Sequence, residues 1–191
     1  MSSGNQLHGK AAVVTGASSG IGEGIAEGFA REGADVAISG RDQAKLDAVA
    51  ARLQELGART HVVAHDLAAD GEAARLVDEA RDAFGAVNIA VHSAGIFEPF
   101  AFVDAPIESF DQTFGLNVRA GFLLAQAAAR QMSEGDSIIF ISSIAGHVAF
   151  PTSVVYCGTK GAVELMVKAM CTELSPLGIR VNSIAPSLFD T

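Results

Sequence analysis

A glycine-rich turn near the N-terminus constrains this chain more than any other stretch. Residues 15–22 read TGASSGIG, directly after the apolar run 11–15 and at the start of a stretch with helical periodicity, 21–32. A continuous apolar run of this length is typical of a strand buried on both faces of a parallel sheet. Glycines between a strand and a helix allow a sharp bend and a close approach of the backbone to a ligand. The segment therefore predicts a βα unit that opens a parallel α/β domain.

The same alternation of strand and helix patterns continues along the chain. The predicted strands cover residues 11–15, 35–39, 60–64, 87–92, 137–142 and 180–185. The predicted helices cover residues 21–32, 44–56, 70–84, 110–131 and 153–175. Glycines at positions 33, 57 and 85 end the first three helices. Because no repeat, low-complexity stretch or linker interrupts this pattern, we expect one domain over residues 1–191.

Strands separated by helices pair in parallel, and right-handed crossovers place them in a defined order. The predicted fold is an α/β Rossmann fold, a doubly wound parallel sheet of order 3-2-1-4-5-6 in three αβα layers. Its first strand-to-helix turn offers free backbone N–H groups and a helix dipole to a pyrophosphate. We therefore predict a dinucleotide site at the glycine turn. Its predicted residues are Gly16, Ser18, Ser19, Gly20, Ile21 and Gly22.

The end of the second predicted strand indicates which dinucleotide binds. A carboxylate at this point bonds a ribose 2′-hydroxyl, whereas an arginine accommodates a 2′-phosphate. The sequence has Gly40 where an acid would be expected, followed by Arg41 and Asp42. Arg41 can form paired hydrogen bonds with a phosphate. Asp42 leaves the alternative open, although it could equally cap the following helix. We therefore favour NADP(H) over NAD(H).

Composition excludes several classes of function. The chain has 13 Lys and Arg against 22 Asp and Glu, a formal net charge of −9, whereas nucleic-acid binding needs clustered basic residues. No apolar run reaches the ~18 residues of a membrane span, and residues 1–10 lack the apolar stretch of a signal peptide. Cys157 and Cys171 are too far apart in one predicted helix for a disulfide. We expect a cytoplasmic protein with free thiols, no nucleic-acid partner and no membrane association.

The only tyrosine of the chain lies four residues before a lysine, in the segment VYCGTK. In a helix, positions four apart share a face, so Lys160 would adjoin Tyr156. A cation beside a phenol favours the phenolate and lowers the phenol pKa. This spacing is common by chance. A surface tyrosine beside a solvated lysine therefore remains an alternative on these residues alone.

Several motifs in the same order resemble the short-chain dehydrogenase/reductase family, from about residue 9 to residue 185. The family's TGxxxGxG turn matches Thr15, Gly16, Gly20 and Gly22. Further matches follow in chain order: the acid after strand three at Asp66, the NNAG segment at His92-Ser93-Ala94-Gly95, an asparagine at Asn117, a serine at Ser143, and YxxxK at Tyr156 and Lys160. The NNAG segment departs from the family at its first two positions. That departure puts in doubt the side-chain hydrogen bonds that steady this turn in the family.

The resemblance implies an NAD(P)-dependent oxidoreductase, such as a carbonyl reductase, that acts on a small secondary alcohol or ketone. Tyr156 would be the general acid/base, and Lys160 would lower its pKa and hold the nicotinamide ribose. Ser143 would donate a hydrogen bond to the substrate oxygen, and Asn117 would hold a water of the proton relay. Further cofactor contacts would come from Asp66, Leu67, Ser93, Ala94, Gly95 and Pro186. The alternative is a non-catalytic dinucleotide-binding or scaffolding protein of the same fold.

The resemblance also implies a homo-oligomer, a tetramer or a dimer, because the predicted helices 110–131 and 153–175 match the family's subunit interface. The apolar residues expected on that surface are Leu123, Leu124, Val163, Met166 and Met170. Family chains usually continue past strand six with a substrate loop, further helices and a seventh strand, so we expect this chain to be a fragment or C-terminally short. The remaining candidates for the substrate pocket are Phe97, His147, Val148, Phe150 and Val154. No metal site is expected, because His61 and His65 lack an accompanying carboxylate pattern.

Overall fold

A six-stranded sheet forms the centre of the computed structural model, which describes residues 5–187. Its order is β3-β2-β1-β4-β5-β6, and every neighbouring pair is parallel. The strands are β1 (Ala11–Thr15), β2 (Asp35–Gly40), β3 (Thr60–Ala64), β4 (Ile89–His92), β5 (Ser137–Ile141) and β6 (Arg180–Ile184). The predicted doubly wound fold and its strand order are therefore confirmed.

Helices connect the strands and cover both faces of the sheet. They are α1 (Gly20–Arg31), α2 (Gln43–Glu55), α3 (Glu72–Phe84), α4 (Ile107–Phe114), α5 (Gly121–Ala129) and α6 (Val154–Leu174). The single helix predicted over 110–131 is instead α4 and α5, joined by a π-helical segment at Gly115–Ala120. Most other boundaries agree with the prediction to within one or two residues.

Two apolar layers hold the helices to the sheet. Val13 of β1 belongs to the layer that α3, α5 and α6 cover, together with Leu76 and Phe140. Val14, the next residue, belongs to the opposite layer, under α1 and α2, with Leu46. Successive side chains of a strand point to opposite faces. The uninterrupted apolar run of β1 is therefore explained by burial on both sides.

The sheet order reverses at β1, which lies between β2 and β4. In doubly wound sheets, ligands bind in the crevice at the carboxyl ends of the strands where this reversal occurs. Thr15 and His92 are the last residues of β1 and β4 and are paired across the sheet. They therefore mark the position of the candidate site.

Two residues predicted for a subunit interface are packed inside the protein. Leu124 and Val163 are each 1% exposed and belong to the core between the sheet and helices α5 and α6. The prediction that they form an apolar outer surface is wrong, because both helices are apolar on more than one side. The large apolar residues that these two helices expose are Phe122, Val154 and Leu165. Within residues 5–187, no helix has the length and apolar content that crossing a bilayer requires.

Candidate active site

The glycine turn between β1 and α1 packs so closely against neighbouring backbone that its glycines leave no room for side chains. Gly16 has φ +66°, and a Cβ there would lie 2.7 Å from Cα of Ala94. A Cβ on Gly22 would collide with the carbonyl oxygen of Gly16. Gly20, at the start of α1, also has a positive φ, +61°. The turn therefore requires glycine at each of these positions, and it packs directly against the chain that leaves β4.

A cavity of about 350 Å³ lies over this turn. It is lined by every residue predicted to bind the adenosine and pyrophosphate parts of a cofactor. These residues are Gly16, Ser18, Ser19, Gly20, Ile21, Gly22, Arg41, Asp66, Leu67, Ser93, Ala94 and Gly95. His65, Ile96 and Leu116 line the cavity too, although no motif in the sequence had indicated them.

The end of β2 presents Arg41 to this cavity, beside a residue without a side chain. A Cβ on Gly40 would lie 3.2 Å from Oγ of Ser18, so the glycine leaves room for that serine. Asp42 is the N-cap of α2, and its Oδ1 accepts a hydrogen bond of 3.1 Å from the backbone N–H of Lys45. Of the two readings of Asp42, helix capping is therefore the one that the structure contains.

His92 makes the side-chain hydrogen bonds that the departure from NNAG had put in doubt. Its Nδ1 lies 3.2 Å from Oγ1 of Thr15, and that oxygen accepts hydrogen bonds from the backbone N–H groups of Ser93 and Ala94. The Thr15 hydroxyl therefore has its own proton left to donate to Nδ1 of His92. The histidine and the threonine together hold the turn after β4.

The other ring nitrogen of His92 joins this turn to the π-helical segment. Nε2 lies 3.1 Å from the carbonyl oxygen of Leu116, which can only accept, so Nε2 carries the proton. Burial lowers the pKa of His92 to about 4, and the charge of Lys160 acts in the same direction. The imidazole is therefore neutral, and its tautomer is determined by its two partners. The sequence had flagged position 92 as unusual, but it did not indicate this bridge.

Asn117 joins three parts of the site through one carboxamide. Its Oδ1 accepts from the N–H of Ile96, and its Nδ2 donates to the carbonyl of Ile96, each at 2.9 Å. Nδ2 also lies 3.2 Å from Oγ1 of Thr159, which donates to the carbonyl of Tyr156 at 2.7 Å. Asn117 is almost completely buried. It therefore clamps the loop after β4 to α6, while its predicted part in a proton relay stays a prediction.

A second cavity, of about 510 Å³, brings together Ser143, Tyr156 and Lys160, with Pro186 on its wall. The predicted catalytic serine, tyrosine and lysine thus converge on one space. This cavity and the first share four lining residues, which are Ile21, Ser93, Gly95 and Ile96. The two cavities therefore form one continuous groove along the carboxyl ends of the strands.

Lys160 does not act on Tyr156 as the sequence had predicted. Its Nζ donates a hydrogen bond of 2.8 Å to the carbonyl of Ile141, and burial lowers the pKa of Lys160 to about 8. Burial raises the pKa of Tyr156, and a hydrogen bond with Ser143 opposes that rise without cancelling it. The prediction of a lowered Tyr156 pKa is therefore wrong for this structure, because desolvation outweighs the neighbouring groups.

Ser143 precedes a short 3₁₀ turn, Ile144–Gly146, and its Oγ accepts a hydrogen bond of 3.1 Å from the N–H of Ala145. This contact orients the hydroxyl and leaves its proton available to donate. Ser142 also lines the second cavity, but its Oγ is buried and has no partner within the described part of the chain. Of the two serines, Ser143 is the one whose hydroxyl acts on Tyr156, because it opposes the rise of the Tyr156 pKa.

Two of the five candidate substrate-pocket residues line the second cavity, and three do not. Phe97 and Phe150 form part of its wall, whereas His147, Val148 and Val154 lie outside its lining. The ring centres of Phe97 and Tyr156 are 5.0 Å apart. Among residues 5–187, no group of three or more His, Cys, Asp or Glu side chains could hold a metal ion.

Comparison with known proteins agrees with this geometry. Residues 10–191 match the family model described as short chain dehydrogenase. An uncharacterised oxidoreductase from Methylorubrum extorquens is 39% identical over 183 residues, which are 95% of this chain and 74% of that protein. An L-rhamnose 1-dehydrogenase (NAD(P)(+)) from Sphingomonas sp. is 37% identical over 184 residues, which are 94% of this chain and 72% of that protein.

Solved structures give the same result. The crystal structure of a short chain dehydrogenase from Burkholderia cenocepacia in complex with NADP superposes with a TM-score of 0.95 at 36% sequence identity. The match covers 98% of this chain and 77% of that one. With the family model, the relatives and the groove in agreement, the chain belongs to the short-chain dehydrogenase/reductase family of oxidoreductases.

Proposed function

We propose that the protein is an NADP(H)-dependent oxidoreductase that interconverts a secondary alcohol and a ketone, with Tyr156 as the general acid/base. One observation carries the proposal: the cavity that holds Ser143, Tyr156 and Lys160 is continuous with the cavity over the glycine turn. A dinucleotide bound along this groove would have its two ends at the two sites. The non-catalytic alternative gives no reason for these three side chains to meet.

The glycine turn fits the pyrophosphate of a dinucleotide. Ser19, the N-cap of α1, makes no side-chain cap hydrogen bond within the described residues, so the first N–H groups of the helix are open to an anion. Gly16 and Gly20, which carry no side chain, line the cavity at this end of the helix. A nicotinamide dinucleotide, when bound, supplies or accepts the hydride. The chain itself has to bind and orient the cofactor and the substrate, and it has to move a proton.

Tyr156 and Ser143 would carry the proton chemistry at the substrate oxygen. Because burial raises the pKa of Tyr156, the phenol is protonated near neutral pH and can donate to a carbonyl oxygen that gains negative charge. The Ser143 hydroxyl, oriented by Ala145, would donate to the same oxygen and stabilise that charge. The Lys160 ammonium lies 5.5 Å from the centre of the Tyr156 ring, and its charge would offset only part of the cost of forming a buried phenolate when the proton leaves.

Arg41 supports a preference for NADP(H). It lines the first cavity at the end of β2, where Gly40 carries no carboxylate to bond a ribose hydroxyl. Asp42 is occupied at the N-terminus of α2. A 2′-phosphate would therefore meet a guanidinium, with the Ser18 hydroxyl on the other side of Gly40.

We also propose a homo-oligomer, a tetramer or a dimer, that assembles through α5 and α6. A groove of about 330 Å³ lies between these helices, and Phe122, Met170 and Leu174 contribute apolar surface to it. A cytoplasmic location is part of the proposal, because Cys157 and Cys171 are both free thiols.

The Tyr156→Phe variant tests the proposed reaction. We expect it to lower kcat by about 10²-fold or more, the usual contribution of a general acid/base, while NADPH affinity stays close to that of wild type. NADPH binding by fluorescence titration and turnover over a panel of ketones and secondary alcohols are the two measurements. Unchanged turnover by the variant would contradict the role of Tyr156. Tight NADPH binding by wild type with no turnover over the panel would favour the non-catalytic alternative.

A further inference from the structure

We infer that the substrate is a neutral secondary alcohol or ketone with an aryl or alkyl group beside the reacting carbon, rather than a polyol or a sugar. The inference rests on the proposed function and keeps its reacting groups. The residues that line the second cavity contact the part of the substrate that does not react.

The walls of this cavity lack the side chains that recognise sugars. Among the described residues, no Asp, Glu, Asn, Gln, His or Arg side chain lines it. The only charged side chain in the described lining is that of Lys160, whose Nζ donates a hydrogen bond to the carbonyl of Ile141. Phe97, Ile144 and Phe150 contribute large apolar side chains to the wall. The described part of the wall therefore offers mostly apolar surface to the substrate.

Five serines line the cavity among the described residues, and the hydroxyls of two of them already have a partner or a role. Oγ of Ser153 donates to the carbonyl of Pro151 at 3.1 Å, and Oγ of Ser143 accepts from Ala145. Ser142 Oγ is buried without a partner in the described part of the chain, so it could meet one polar atom of a substrate. A sugar brings several hydroxyls beyond the reacting one. Those hydroxyls would lose water and meet no carboxylate, amide or guanidinium side chain among the described residues of the wall.

Two aromatic rings are held at the cavity with part of their surface uncovered. Phe97 is 51% exposed and Phe150 is 39% exposed. Their loops are joined by a hydrogen bond of 3.0 Å from the N–H of Phe100 to the carbonyl of Thr152. The Phe97 ring is tilted by 57° to the ring of Tyr156, with 5.0 Å between the ring centres. An aryl or alkyl group of a substrate bonded to Tyr156 would cover this apolar surface.

Steady-state oxidation with NADP⁺ compares the two substrate classes in one direction of reaction. The substrates are 1-phenylethanol and cyclohexanol on one side, and L-rhamnose and sorbitol on the other. Oxidation of 1-phenylethanol to acetophenone transfers one hydride to NADP⁺ and releases one proton through Tyr156. We expect kcat/KM to be about tenfold or more higher for 1-phenylethanol than for either carbohydrate.

Variants at Phe97 test whether the aromatic wall carries the preference. Phe97→Ser should raise KM for 1-phenylethanol about tenfold, whereas Phe97→Leu, which keeps an apolar side chain, should change it much less. Both variants should bind NADPH as wild type does, which also shows that they fold. Phe102→Ser is the matched control, because Phe102 is 73% exposed and lies outside the cavity lining.

The outcomes separate this inference from the proposed function. Faster oxidation of L-rhamnose or sorbitol than of 1-phenylethanol overturns the inference and leaves the proposed function intact. Equal KM values for wild type and Phe97→Ser also overturn it. Tight NADP⁺ binding with no oxidation of any of the four alcohols overturns the proposed function itself.

Discussion

The Nζ atom of Lys160 lies 5.5 Å from the centre of the Tyr156 ring, and its hydrogen bond goes to the carbonyl of Ile141 instead. The lysine is thus held on β5 by a backbone group and not by the phenol. Burial dominates the acidity of both side chains, and it favours the neutral form of each. In this structure Tyr156 is therefore a protonated phenol that can donate its proton, and Lys160 is a nearby cation that does not hold it as a phenolate.

The acidity of Tyr156 can be measured without interference. Tyr156 is the only tyrosine of the chain, which has no tryptophan, so tyrosinate absorbance reports this residue alone. We expect the pKa of Tyr156 to lie above its ordinary value of 10.0. Ser143→Ala should raise that pKa further, because the hydrogen bond with Ser143 lowers it. Lys160→Met should have a smaller effect.

The titration needs two controls. Tyr156→Phe provides the blank, and circular dichroism at each pH shows that the protein is still folded. A tyrosinate signal near neutral pH that disappears in Lys160→Met would contradict the expectation. It would restore the original prediction that the lysine lowers the pKa of the phenol.

His92 should make the protein sensitive to acid. Its pKa is lowered from 6.5 to about 4 in the folded protein, so the unfolded chain binds the proton more tightly in that interval. The stabilisation is therefore complete above pH 6.5 and is lost as the pH falls towards 4. By linkage this loss is about 3 kcal/mol of the free energy of unfolding. Urea unfolding at a series of pH values measures it.

His92→Asn removes the group that titrates. We expect the free energy of unfolding of this variant to vary less between pH 6.5 and 4 than that of wild type, whatever its absolute stability. His8→Asn is the matched control, since His8 is exposed. Equal slopes for His92→Asn and wild type would show that other groups cause the acid sensitivity.

Asn117 should contribute to stability as well as to the site. Asn117→Ala removes a buried side chain and leaves the part-buried N–H and carbonyl of Ile96 without their partner. We expect the free energy of unfolding to fall by about 3 kcal/mol, since each buried group that loses its partner costs about 1–3 kcal/mol. Asn182→Ala, at an exposed position of β6, is the control. A similarly small loss of unfolding free energy in both variants would mean that the hydrogen bonds of Asn117 contribute little to stability.

Arg41 should discriminate between the two cofactors. Arg41→Gln is expected to raise KM for NADPH about tenfold or more, because a charge-assisted hydrogen bond to phosphate is worth about 1.5–3 kcal/mol. KM for NADH should change little. Arg31→Gln is the control, as Arg31 is exposed on α1 and pairs with Glu27. Equal changes in both KM values would argue against a 2′-phosphate contact.

Features that depend on local backbone geometry could be predicted from the sequence. Gly16 and Gly22 are needed because the turn has no space for a Cβ. The spacing of Tyr156 and Lys160 placed both side chains at one cavity, because both lie on one helix. The alternation of strand and helix patterns likewise gave the sheet order through the handedness of its crossovers.

Features that depend on packing between distant segments could not be predicted. Lys160 is bonded to Ile141 of β5, and His92 to Thr15 and Leu116 of two other segments. Helical periodicity identified α5 as apolar but did not show that Leu124 faces the sheet. The pKa direction of Tyr156 follows from burial, which no spacing rule measures.

The π-helical segment Gly115–Ala120 makes the length of this stretch as important as its composition. In an α-helix each residue advances the chain by about 100° around the axis. A π-helical turn contains about one residue more than an α-helical turn, so deleting one residue here would allow regular α-helical bonding and would replace the wide turn that carries Asn117 by a tighter one. Asn117 could then no longer meet both Ile96 and Thr159. Single-residue deletions and insertions between positions 115 and 120 should therefore be far less tolerated than substitutions at Arg119, the one exposed position of the same stretch.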